Sequence, residues 1–176
     1  MIIDTVSPIN QGVLKYLGRG EKARKAAIAV PDSVPDPYVR QGSHPDIVQR
    51  VWENLGGVLP AKCRCLVYGT PAIVHERSGV VIAICNGTQY NLRLTAPDFR
   101  EAIAKGATTR TRWSDGQEMD SLAALGPGWI FGGWFKEEEQ WCRNTYEEDG
   151  SANQGVGMAG LIMILRNRMY HYSITS

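Results

Sequence analysis

The chain has 176 residues and a mass of 19.4 kDa, with 43% hydrophobic residues, 21% charged residues and a formal net charge of +1. This balance excludes a disordered, collagen-like or coiled-coil chain. It also offers no reservoir of positive charge for a histone-like polyanion binder, and the length suits one ordinary domain.

Met1 to Asn10 carry Asp4 and Pro8 and lack both a basic start and a long apolar core, so no secretory signal and a cytoplasmic location are expected. Residues 12 to 30 read as a short helix broken by Gly18 and Gly20, and Pro31, Pro35 and Pro37 then fix an extended linker. The expected organisation is an N-terminal helix-like segment and Pro-rich linker over 1–37, a compact α+β domain over 38–150, and an apolar C-terminal segment over 151–176. In the compact part, Ser43 is the expected N-cap, with Asp46 three residues on and Pro45 in the first turn. Ile47, Val48, Val51, Trp52 and Leu55 share one helical face, and Gly56 stops the helix.

From Cys63 the hydrophobic period becomes two, over Leu66–Tyr68, Ala72–Val74, Val80–Cys85 and Tyr90–Leu94. Asn86-Gly87 between two such runs predicts a type I′ hairpin, and hence an antiparallel meander of three to four strands. Thr95 and Asp98 repeat the capping pattern ahead of a two-turn helix with Phe99, Ala102 and Ile103, ended by Gly106. A strand over Thr108–Trp113, a turn at Asp115-Gly116, a short apolar piece at Leu122–Leu125 and a glycine- and aromatic-rich stretch at Gly126–Trp134 follow. A helix from about Lys136 to Glu148 would place Glu137, Glu138 and Glu139 at its positive end, with Gly150 closing it. The fold class is therefore α+β: short helix, antiparallel meander, short helix, then a strand and a C-terminal helix.

Two features concern charge. Residues 1–112 hold 15 Lys and Arg against 9 Asp and Glu, whereas 113–176 hold 4 against 9; the halves either form a dipole or pair with each other. Gly150 to Leu165 carries no charge at all. Its apolar run from Val156 would reach about 15 Å as a helix, half of a bilayer core, so no membrane span is expected. A docked last element, a dimer contact and a tail outside the fold are the three readings of it.

For chemistry, Cys63 and Cys65 would sit two apart on one strand face with Cys85 nearby, but zinc-type spacing is missing, and reduced buried thiols, including Cys142, are expected with no metal and no cofactor. A nucleophilic site would draw on Ser43 or a cysteine with His44, His75 or His171 as base, yet no G-x-S-x-G, HExxH or papain-type context is present. Asp46 with Glu53, and Glu76 and Asp98, lack the contrasting environments that acid–base pairs need. The glycines of 126–133 match no phosphate-loop pattern. Trp129, Phe131, Trp134 and Trp141 make the tryptophan-rich stretch the leading candidate for ligand or partner contact. Arg93, Arg100, Lys105, Arg110 and Arg112 form a basic stripe and a weaker nucleic-acid candidate.

The helix–meander–helix order over residues 45 to 106 resembles, in element order alone, small bacterial domains such as the MmcQ/YjbR group; no motif is shared, and the resemblance implies no site. The expected function is a small, non-catalytic, bacterial-type cytoplasmic binding or protein-interaction domain, with a protein partner or homodimer. The alternatives are a small thiol- or histidine-dependent hydrolase or transferase, and nucleic-acid binding through the basic stripe.

Overall fold

The computed structural model describes residues 3–19 and 42–152, which fold in the α+β order read from the sequence. Helix α1 (Pro8–Leu17) is followed by α2 (Pro45–Gln49), which continues as a turn of π-helix over Arg50–Leu55. The cap of α2 is His44 rather than the expected Ser43. Pro45 has no N–H, so the first donor in need of a partner is that of Asp46, and His44 Nδ1 accepts it at 3.2 Å. Ile47, Val48, Val51, Trp52 and Leu55 are all buried, as the spacing requires.

Two 3-10 turns, Gly56–Val58 and Ala61–Cys63, lead into the meander β1 (Arg64–Val67), β2 (Thr70–Val74), β3 (Val81–Asn86) and β4 (Gln89–Arg93). The β1–β2 hairpin turns on Tyr68 and Gly69, whose φ angles of 49° and 78° give the type I′ twist. The second hairpin sits one residue later than expected. Asn86 pairs with Gln89 as a strand residue, and Gly87 alone carries the positive φ, 66°, which is the type II′ pattern. Asn86 is held in the strand by its amide, which donates to Asn91 Oδ1 at 2.9 Å and accepts from the Tyr16 hydroxyl at 2.9 Å.

Helix α3 (Ala96–Ala104) is capped by Thr95, whose hydroxyl accepts from the Asp98 N–H. The strand expected over 108–113 narrows to β5 (Arg110–Arg112), paired with β6 (Glu118–Asp120); α4 (Ser121–Ala124) and β7 (Trp129–Phe131) follow. β7 lies in the glycine- and aromatic-rich stretch Gly126–Trp134, to which the sequence assigned no element. It pairs with β4 and completes an antiparallel sheet of order β1-β2-β3-β4-β7.

Both faces of this sheet are covered, which is why its strands lack polar–apolar alternation. On one side Ile73, Leu92 and Ile130 pack with Trp52, Leu55, Ala102 and Trp141 from α2, α3 and the last helix. On the other, Val74, Ile84 and Trp129 pack with Val13 and Leu17 of α1 and Met119 of β6. The expected boundary near Tyr38 lies outside the described residues, but α1 ahead of it is part of this packing. Buried Asn10 donates to the carbonyls of Asp4 and Gly79 at 2.7 and 2.9 Å and accepts from the Val81 N–H at 2.9 Å. Gly12 lets α1 approach the Leu125 backbone, where a Cβ would stand 2.4 Å from the carbonyl oxygen.

The last helix, α5 (138–152), runs through Gly150 instead of ending there. A Cβ on Gly150 would lie 3.3 Å from His75 Nε2, so this glycine serves close packing of α5 on the end of β2. The apolar segment beyond Ala152, with His171, falls outside the described residues. Among the described residues no helix is long and apolar enough to cross a membrane.

Candidate functional site

Two polar clusters lie under α5, one at each end. The first begins with the tight path Gly132-Gly133-Trp134 between β7 and α5. The Gly132 N–H donates to the Tyr90 carbonyl at 2.8 Å, and a Cβ at Gly132 would fall 1.9 Å from the Tyr90 ring. Glu138, in the first turn of α5, is fully buried. Its Oε1 accepts from the Gly133 N–H at 2.8 Å; its Oε2 accepts from Arg50 Nη2 at 2.9 Å and from the Tyr90 hydroxyl at 2.5 Å. The same hydroxyl accepts from the Trp134 N–H at 2.8 Å, and Arg50 Nη2 also reaches the Phe135 carbonyl at 3.2 Å.

The charges here are matched. Burial works against the Arg50 charge, but hydrogen bonds to Tyr90 and Glu138 more than offset it and hold the guanidinium above its ordinary value. Burial, with the Glu138 charge beside it, pushes the Tyr90 phenol up. The network fixes Trp134 in the left-handed region, φ 58°, which a bulky residue rarely adopts. The Trp134 side chain is nevertheless 55% exposed, with the Arg50 guanidinium 5.1 Å from its ring centre and the Tyr90 ring edge-on at 5.7 Å.

The second cluster gathers His75, Glu76, Cys63 and Tyr146. His75 is completely buried and stacks on Tyr146 at 4.4 Å. Its Nδ1 accepts from the Arg77 and Ser78 N–H groups at 3.2 and 3.1 Å, so the ring is neutral with its proton on Nε2. Burial holds its pKa below 6.5, and Nε2 has no hydrogen-bond partner among the described residues. The Tyr146 hydroxyl donates to Glu76 Oε1 at 2.6 Å and the Cys63 thiol to Oε2 at 3.2 Å. Burial alone would raise the Glu76 carboxyl, but these bonds hold it below 4.5.

The thiols are not activated. Burial pushes Cys63, Cys65 and Cys142 up to about 12, with the Glu76 carboxylate adding to the effect at Cys63, and burial also raises Cys85. Cys63 and Cys65 do not share a face. β1 starts at Arg64, so Cys63 lies in the preceding 3-10 turn and joins the core under α5, while Cys65 packs on the α1 side. Among the described residues no three His, Cys, Asp or Glu side chains are placed to hold a metal.

The other expected sites separate as follows. Exposed His44 uses Nδ1 on its own helix cap, beside half-buried Ser43. Trp129, Phe131 and Trp141 are buried in the two cores, which leaves Trp134 as the exposed member of the aromatic stretch. The basic stripe is largely paired: Arg93 with Asp149 at 2.6 Å, Lys105 with Glu137 at 3.2 Å, Arg110 with Asp120 at 3.4 Å, and Arg112 with Glu118. Arg100 lines a groove beside α4. With Arg50–Glu138, these pairs join the basic part of the chain to the acidic part among the described residues.

The sequence places Glu138 at the positive start of the last helix but does not link it to Arg50 or Tyr90. The three lie 40 to 88 residues apart, so no local spacing links them; a glutamate triplet directly after Gly-Gly-Trp-Phe-Lys was the one visible hint. No family model matches the chain, and comparisons with curated proteins and with solved structures find no match.

Proposed function

We propose that this is a non-catalytic binding domain that engages a protein partner through Trp134. The observation that carries the reading is an exposed indole held in a left-handed backbone conformation by a buried, hydrogen-bonded Arg–Tyr–Glu network. Such strain costs roughly 1–3 kcal/mol and persists where surrounding structure dictates it, often at functional positions. A pre-positioned tryptophan loses little entropy on docking and is a favoured interface anchor.

The test is quantitative enrichment from a native lysate with the full chain and with Trp134→Ala. A specific partner retained by the wild type should be weakened about 30-fold or more, as for a hot-spot truncation of 2 kcal/mol and above. Equal retention by both proteins, or none by either, contradicts the reading.

The thiol- or histidine-dependent enzyme is the second reading, favoured by one observation: Cys63, His75 and Tyr146 all contact or adjoin Glu76. Rapid alkylation of Cys63 at neutral pH would support it. A thiol at about 12 that donates to a carboxylate should instead be inert.

A further inference from the structure

At the opposite end of the β4–β7 pair from Trp134, a hollow of about 550 Å³ opens between α3 and α4, and a second of about 400 Å³ adjoins it against α1, with Leu94 and Pro127 common to both. Phe99 and the exposed rim residues Leu122 and Ile9 make the lining largely apolar. The turn below is Gly126-Pro127-Gly128, whose glycines take φ angles of 117° and 83°, so backbone shapes the groove and no side chain fills it at either position. The larger hollow carries one charged side chain, Arg100, which has no hydrogen-bond or ion-pair partner among the described residues. We propose that this groove binds a small monocarboxylic acid with an apolar body, its carboxylate on Arg100 and its chain against Phe99, Leu122 and Leu94.

Charge selects the occupant. No acidic residue lines either hollow. The two acids nearest to Arg100 along α3 are turned toward α5, where Asp98 accepts from Asn144 at 2.9 Å and Glu101 from the Trp141 indole N–H at 3.2 Å. The other cation of the groove, Arg93, is already taken by Asp149 and the Val81 carbonyl. Arg100 is therefore the one place where the groove asks for a negative charge, and a guanidinium receives a carboxylate through two parallel hydrogen bonds. A second copy laid groove to groove would bring another Arg100 and no acid, because a two-fold contact sets the same patch against itself. The size fits a small molecule: sites of roughly 300–1,000 Å³, apolar with a few polar groups that fix orientation, are the usual form of such pockets. An acid longer than the first hollow has the second to extend into, past Leu94 and Pro127. None of these residues supports Trp134, so this proposal and the partner-binding reading can fail independently.

The test titrates octanoate and 1-octanol, which share an apolar body and differ in charge, into the full chain with ¹³C-labelled leucine methyl groups. Octanoate should shift the Leu94 and Leu122 methyl signals and give nuclear Overhauser contacts to them. It should bind about fivefold or more tightly than octanol, a gap that raised salt narrows and Arg100→Gln closes, while octanol binds both proteins alike. Arg100 and Leu122 are both exposed, so neither substitution disturbs the core; Leu122→Glu, which sets a like charge beside the ligand, should remove octanoate binding. No response of these methyls to octanoate, equal affinity for the two ligands, or a gap that survives Arg100→Gln would overturn the proposal. So would contacts in the free protein from the Leu122 methyls to residues 20–41 or 153–176, or, in a mixed-label sample, to a second copy, since either would be the groove's occupant instead.

Discussion

The two ends of α5 rest on clusters made of similar groups, a phenol and a glutamate in each, yet the clusters are set differently. At the N-terminal end a full ion pair is buried, Arg50 against Glu138, and each charged group is bonded. At the C-terminal end the imidazole is neutral, the thiol protonated, and His75 Nε2 is left without a partner among the described residues. The first cluster directs its order outward, into the position of Trp134. The second has the residue types of a catalytic site, but its thiol is protonated, its imidazole Nδ1 is taken up by two backbone N–H groups, and its carboxylate is occupied by Tyr146 and Cys63. Chemical identity alone therefore says little about function; burial and bonding decide which groups can act.

The contrast is broken most severely at Glu138. Glu138→Ala leaves the Arg50 guanidinium buried without its counter-charge, and removing one partner of a buried pair costs roughly 3–5 kcal/mol. Chemical denaturation should show this as a large fall in midpoint. Gly132→Ala comes next. The added methyl enters the Tyr90 ring, and overpacking of this sort costs about 1–3 kcal/mol; urea unfolding checks it, and wild-type stability would mean that the Gly132 path is not as tight as described.

The C-terminal cluster should reveal itself through pH. The folded state holds His75 below its ordinary 6.5, so the unfolded chain binds the extra proton first. Stability is full above pH 6.5 and falls as pH drops below it, with a slope of at most about 1.4 kcal/mol per pH unit from this group. Glu76, held below 4.5, adds a second loss as pH falls further through its lowered folded value. His75→Asn keeps an acceptor for the Arg77 and Ser78 N–H groups and should remove the first of these losses while retaining the second. The smallest effect belongs to Trp134→Ala, whose stability should stay within about 0.5 kcal/mol of wild type because the indole is mostly in solvent.

The meander and both capped helices were legible because their signals are local: a caps-and-proline start at 43–46, short apolar runs after Cys63 separated by turn residues, and Thr95 before Asp98. Where tertiary bonds compete with local preference the reading slipped, as at Asn86, kept in its strand by Tyr16 and Asn91, and at Gly150, passed over by α5 because of its fit against His75. Composition marked the tryptophan stretch but could not say which indole stays outside. That choice is made by Arg50 and Tyr90, brought from distant strands and helices to Glu138, and no window of sequence contains all three.

The most direct test of the presentation of Trp134 is hydrogen exchange at its backbone amide, in the wild type and in Tyr90→Phe. The Tyr90 hydroxyl accepts that N–H, so the wild-type amide should exchange at least about 100-fold more slowly than in an unstructured peptide, although the indole is exposed, and Tyr90→Phe should remove most of the protection. Exchange of the wild-type amide at the unstructured rate would show that the loop is not held, and would contradict the account.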